Sequence, residues 1–257
     1  MEPIYAWILA FMVSVAPPGR KTYYAEAQET KEVAMARYQS IAEDIVEVVY
    51  NPETKPLFRG KVGRARTVSV ILAIMLYESG FMRNVDHGIG KYARGDQGKS
   101  WCLMQLNVGK GRTIKWNTKH DRPARYNDKP EDIFEGYTGK EMVEDRRKCI
   151  QEGLKGLWMS FRSCRGMNLP LNQRLRVYGS GSCHGAQKGS ALRMDTAIRW
   201  FRDSNEKRKL FKDVEIVKLV EEKLAKREEA EAKALAAKKR KEKADKRQAK
   251  ADKSKKK

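Results

Sequence analysis

RTVSVILAIMLYESGFMRNVDHGIGKYARGDQGKSWCLMQLN, residues 66–107, decides how this chain is read. Residues 66–78 are apolar nearly all round, the pattern of a central buried helix. Val and Ile also suit a buried strand, but the length of the run favours a helix. The run closes on a single carboxylate, Glu78. A carboxyl held in apolar surroundings has its charged form disfavoured, so it keeps its proton to higher pH and becomes a proton donor near neutrality. By position alone, Glu78 reads more readily as a helix-end residue pointing into water. Beyond it, residues 83–140 are punctuated by Gly88, Gly90, Gly95, Gly98, Gly109, Gly111, Pro123 and Pro130. Functional side chains concentrate in loops of this kind when a rigid scaffold holds them.

Outward from that stretch, Ala34, Tyr38, Ile41, Ile45, Val48 and Val49 recur at helical spacing and predict an amphipathic helix over 31–50, ended by Asn51-Pro52. Residues 141–163 predict another, with Met142, Cys149, Leu154, Leu157, Trp158 and Phe161 inward. Met194, Ala197, Ile198 and Phe201 predict a short one over 190–203. At the start, IYAWILAFMVSVA, residues 4–16, is too short to span a bilayer, which takes about 20 residues. It reads as a packed helix stopped by Pro17-Pro18-Gly19. The other reading is a secretory signal, for which Ala25-Glu26-Ala27 has the small-x-small form but Glu2 is the wrong charge. Residues 1–30 form this apolar segment, 31–204 the main domain and 205–257 a tail rich in Lys, Glu and Ala. The tail, without Pro or Gly from Val214 onward, predicts a solvated helix whose apolar positions 214, 217, 220 and 224 allow only its first half to dock.

The 257 residues carry a net charge of +21. Residues 232–257 alone hold 13 Lys and Arg against 3 Asp and Glu. A cation this concentrated seeks an anionic surface: nucleic acid, anionic lipid or a cell-wall polymer. No Cys-x-x-Cys pair is present and the histidines are only His87, His120 and His184, so neither a metal nor a cofactor is expected.

Glu78-Ser79-Gly80-Phe81, then Ser100 and Leu103-Met104-Gln105, then Tyr178-Gly179-Ser180-Gly181 follow in that order. This resembles the lysozyme-like superfamily, specifically the soluble lytic transglycosylase domain with its E-S-x-F, G-L-M-Q and Y-N-A-G motifs. Gly95-Asp96-Gln97-Gly98 resembles the G-D-x-G loop of goose-type lysozymes. The resemblance covers roughly residues 64–202. It implies a mainly α, lysozyme-like domain with a long loop-rich active-site region, and an enzyme of cell-wall degradation: a glycosidase that cleaves the MurNAc–GlcNAc bond of peptidoglycan strands. Glu78 is then the general acid and later the base. Asp96 positions a water on the opposite sugar face, an inverting arrangement. Ser79 and Gln105 bind substrate or orient Glu78, Ser100 belongs to the same binding set, Leu103 and Met104 line the cleft, and Tyr178 hydrogen-bonds near Glu78. Trp101, beside the Met-Gln motif, is the aromatic best placed to contact sugar. The chain departs from the pattern: Cys102 stands for Gly, Asn107 for a second Asp, Gly179-Ser180 for Asn-Ala, and the loop is longer. Without the second Asp, a one-Glu lytic transglycosylase remains open beside a hydrolase. The implied setting is a bacteriophage virion or lysis protein, or a secreted bacterial enzyme acting at the wall or in the periplasm.

Four other groups compete for roles. Asp86 is a spare carboxylate, and Cys183-His184 are adjacent in sequence, where side chains diverge. Cys149 and Cys164 lie about 22 Å apart on one helix, too far to pair. That leaves 102–149 with 164–183, 102–164 with 149–183, or four reduced thiols. Trp158 and Trp200 sit at core spacing, and Trp116 stays unassigned. A non-catalytic reading keeps the fold and uses residues 232–257 to bind nucleic acid, anionic wall polymer, lipid or a virion partner.

Overall fold

The computed structural model describes residues 2–184, 188–208 and 213–254. It is mainly α-helical. In chain order the helices are α1 (Glu2–Val15), α2 (Lys31–Tyr50), α3 (Gly63–Ser79), α4 (Arg83–Asp86), α5 (Gly139–Glu144), α6 (Arg146–Gly166), α7 (Arg176–Ser180), α8 (Lys188–Arg208) and α9 (Asp213–Ser254). Between α4 and α5 run five two-residue strands. Strands β1 (Ser100–Trp101) and β2 (Leu106–Asn107) form a hairpin. Strands β3 (Trp116–Asn117), β4 (Arg122–Pro123) and β5 (Ile133–Phe134) form an antiparallel sheet in the order β4-β3-β5.

The hydrophobic stretch 66–78 is helical, and it is the axis of the molecule. Val68, Val70, Ile71, Leu72, Ala73, Ile74 and Met75 are all at or below 1% exposure. A side chain of that class removed from water contributes about 1.5–3 kcal/mol, so this one helix anchors the core. It stays helical because its neighbours satisfy the apolar surface on every side: α1, α2 and α8 all pack against it. Its start is set from outside the main domain. Asp213, at the head of α9, accepts from the Arg64 backbone N–H at 2.8 Å and from the Tyr50 hydroxyl at 3.2 Å. An acidic cap on exposed helix-start donors suits the helix dipole.

The N-terminal segment is a helix in the core: Ile4, Trp7, Ile8, Phe11 and Met12 are buried, and Trp200 of α8 closes over Trp7 and Phe11. Among the described residues no helix is long and apolar enough to cross a membrane. The helix predicted over 141–163 is two helices. Asp145 breaks it with extended backbone and caps α6 by accepting from the Arg147 N–H. The helix predicted over 190–203 runs longer at both ends, as α8. Trp158, expected inward, is half-buried at the rim of a surface cavity, its indole N–H donating to the Lys55 carbonyl at 2.9 Å. The docking stripe of α9 packs at three of its four expected positions: Val220 is buried and Val217 and Leu224 lie partly buried against the core, joined by Ile216, while Val214 is 80% exposed. Arg227 then ties α9 to Glu47 of α2.

Both disulfides form: Cys102–Cys149 and Cys164–Cys183, with Cα atoms 6.2 and 5.4 Å apart. The first ties the β1–β2 turn to α6, the second the end of α6 to the segment after α7.

Candidate functional site

Glu78 occupies the last turn of α3, and the chain must leave that helix sharply. Gly80 takes the left-handed conformation, φ 56°, and its N–H returns to the Leu76 carbonyl at 2.9 Å, a helix end that favours glycine. Ser79 is 2% exposed. Its hydroxyl donates to the Met75 carbonyl at 2.7 Å and accepts from the Phe81 N–H. It therefore shapes the turn, with its hydroxyl committed to backbone partners. Phe81, itself left-handed, drops into the core against Phe11 and Tyr38.

The Glu78 carboxylate meets Arg193 of α8, with Nη2 2.7 Å from Oε1 and both side chains 20% exposed. The same guanidinium lies over the Tyr77 ring. Burial pushes the Glu78 carboxyl above the ordinary carboxylate range. Arg193 pulls the other way by charge and hydrogen bond, the nearby charge of Asp96 adds a smaller upward push, and the net direction is up.

The loop opposite is built as a small self-bonded unit. The Gln105 Oε1 accepts from the Gly95 N–H at 2.7 Å, and its Nε2 donates to the carbonyls of Cys102, at 3.1 Å, and Ala93. A Cβ on Gly95 would lie 2.6 Å from that Oε1, so the close approach requires glycine. Gln105 is a staple for the loop, and its amide is already committed. Asp96 is exposed. Its Oδ2 accepts from Ser100, which is buried, at 2.6 Å and from Asn107 at 3.4 Å. Asn107, standing where a second Asp was expected, is therefore a donor to the first.

Leu103 and Met104 are fully buried. Met104 fits because α6 presents Gly153 there: a Cβ at that position would lie 2.2 Å from the Met104 sulfur. The Met104 carbonyl accepts from the Tyr178 hydroxyl at 2.7 Å. Burial first, and the Glu78 charge second, push the Tyr178 phenol well above its usual range, so it stays a donor. Tyr178 thus bridges α7 to the turn that faces Glu78. Trp101 is less free than expected. Gly139 lies against its ring, the Arg94 guanidinium sits 4.4 Å from its centroid, and its N–H donates to the Gly109 carbonyl.

Backbone strain gathers at this site. Seven described residues other than glycine have positive φ, and five of them, Phe81, Asp96, Gln97, Cys102 and Gln105, belong to the segment between Glu78 and the end of the Met-Gln motif. Such conformations cost about 1–3 kcal/mol each and persist where surrounding structure over-determines them, typically at functional sites.

Other candidates lie elsewhere. Asp86 is 4% exposed and held by two contacts from Arg146, 2.8 and 2.9 Å, with Arg37 at 3.6 Å. It is the centre of a buried ion network and not a reacting group. Cys183 is in a disulfide, which removes it as a nucleophile. Among the described residues no cluster of His, Cys, Asp and Glu could hold a metal. Arg193 was not singled out in the sequence: in a chain with 54 Lys and Arg, nothing in its spacing marks it. No protein-family model, no curated protein and no solved structure matches the chain.

Proposed function

We propose that the chain cleaves the glycan strand of peptidoglycan, with Glu78 as general acid and then base. The observation that carries this reading is the environment of Glu78: one half-buried carboxyl with an upward-shifted pKa, facing a strained, self-bonded loop. Protonated Glu78 donates to the glycosidic oxygen as the bond breaks. The carboxylate left behind is stabilised by Arg193, which removes part of the cost of ionising a buried acid. The same carboxylate then takes a proton from the attacking oxygen. In a lytic transglycosylase that oxygen is the sugar's own 6-hydroxyl and the product is 1,6-anhydro. In an inverting hydrolase water attacks instead from the opposite sugar face, and Asp96, exposed and steadied by Ser100 and Asn107, is the group that would hold it and take its proton in place of Glu78. Tyr178 and Gln105 act by fixing the backbone from Cys102 to Gln105. The wall-acting setting, in a virion, a lysis protein or a secreted enzyme, belongs to the same proposal.

A digest of purified sacculi by the parent and by Glu78→Gln, read by mass spectrometry, tests it. Anhydro-muropeptides from the parent alone support a transglycosylase, and reducing-end products support a hydrolase. A second reading has one observation in its favour: an acid held by an arginine is also what a retired catalytic residue looks like. In that case the basic tail would bind nucleic acid, lipid or wall polymer, with steep loss in salt, and neither protein would release product.

A further inference from the structure

α9 changes character along its length. Its first turns dock: Ile216 and Val220 are buried, and Arg227 pairs with Glu47 of α2. From residue 225 to 238 every position is exposed. Over 221–231 the helix balances its own charge, with five Glu against two Lys and one Arg. Glu231 pairs with Arg227 and Glu229 with Lys233, one turn apart. That is how a solvated helix is ordinarily held. Past Lys233 the acids give out, and residues 232–257 carry 13 Lys and Arg against 3 Asp and Glu.

The unbalanced charge also has a direction. α9 is helical to Ser254, so positions three, four and seven apart fall in one row along it. Lys239, Lys243, Lys246, Lys250 and Lys253 recur at that spacing, with Arg240 and Arg247 in the adjoining row. The three acids, Glu242, Asp245 and Asp252, share a separate row. Like charges three and four apart destabilise a free helix. A polyanion laid along the row turns that repulsion into attraction. Seven cations over residues 239–253 occupy about 21 Å of helix, one per about 3 Å. One strand of a nucleic-acid duplex presents one phosphate per about 3.4 Å of its axis. A lipid surface is the poorer match: alanines aside, Leu235 is the only apolar residue after Glu231, so this half of the helix has no apolar face to lower into a bilayer.

We propose that the cationic row over 239–253 binds the phosphate backbone of a nucleic-acid duplex, without reading its sequence. The proposal stands whether or not Glu78 cleaves glycan, because the row lies outside residues 31–204 and uses none of them.

Fluorescence anisotropy of the full chain with a labelled DNA duplex of about 20 base pairs, from about 50 to 200 mM salt, tests it. A row that neutralises about five phosphates gives a slope of log affinity against log salt of about −4.5. The decisive variant exchanges charges without changing composition: Glu242→Lys, Lys243→Glu, Asp245→Lys and Lys246→Asp together. It keeps the net charge and moves two acids into the row. Duplex affinity should then fall about tenfold or more and the slope become shallower by about 2, as two phosphate contacts are lost. Affinity for polyglutamate, a flexible polyanion with no fixed charge spacing, should change by less than about twofold. Ending the chain after Glu231 should abolish duplex binding and leave the melting temperature unchanged, since positions 232–238 are exposed. Unchanged duplex affinity in the exchange variant means that bulk charge suffices and overturns the proposal. Duplex binding that survives loss of residues 232–257 overturns it too, as does a parent chain that binds no duplex. Phosphatidylglycerol vesicles that bind the parent more tightly than the duplex, and lose that binding in the exchange variant, would assign the row to a lipid surface instead.

Discussion

Replacing both Cys102 and Cys149 by Ala tests how the β1–β2 turn is held. The disulfide joins residues 47 apart, and in the chain-entropy account closing a loop of that length stabilises the folded state by about 4 kcal/mol. The Cys164–Cys183 bridge, 19 residues apart, is worth about 3 kcal/mol on the same basis. Cys102 adds a second effect. It sits at φ 61°, where a side chain costs roughly 1–2 kcal/mol and glycine nothing, while glycine gives back about 0.4–1 kcal/mol through the unfolded chain. Cys102→Gly with Cys149→Ala should therefore be more stable than the double-Ala protein by about 0.5–1 kcal/mol. Urea melts of the parent and both variants give the numbers, and sacculus digestion follows the turn: activity should fall more in the double-Ala protein than its global stability explains. The reasoning fails if the double-Ala protein loses less than about 1 kcal/mol, or if glycine is no better than alanine at position 102.

Four further outcomes follow from the geometry. Arg193→Gln removes the downward pull on the Glu78 pKa, so the acid stays protonated to higher pH and the alkaline limb of the activity profile moves up, whereas Arg193→Lys should keep the parent profile; an unmoved limb in the Gln variant refutes the coupling. Because the Glu78 pKa is raised on folding, its contribution to stability is full below the unfolded value and is lost as pH rises through the folded one, so Glu78→Gln should not lower the melting temperature at pH 7. Gly153→Ala should cost about 1–3 kcal/mol by overpacking Met104, with loss of activity through the Tyr178 contact, read by melting and digestion together. Arg146→Ala leaves Asp86 buried without its two-point partner and should destabilise by about 3–5 kcal/mol, measured by urea melting.

Where local pattern carried the information, it was legible. The apolar run 66–78, the 3.6-residue spacing of 31–50 and the polar composition of the tail each name a helix, because burial on one face or all faces is written into the residues themselves. The break at Asp145 escaped because an aspartate inside a helical pattern caps only when its backbone is extended, and that is decided by how α5 meets α6. Trp158 has core spacing, but the neighbouring sheet leaves a cavity where a packing partner would stand.

The sequence by itself determined that a lone carboxylate ends a buried helix and that a glycine-rich loop with Asp96 follows it. It also reduced the cysteine pairings to two, since helix rise separates Cys149 from Cys164. Only the tertiary structure decided the rest: which pairing forms, that Ser79 faces inward, that Gln105 is spent on its own loop, and that Arg193, 115 residues away, meets Glu78. These depend on side chains brought together by the packing of α8 on α3 and of α6 on the β1–β2 turn. Residues that distant in sequence share no local pattern that would announce the contact.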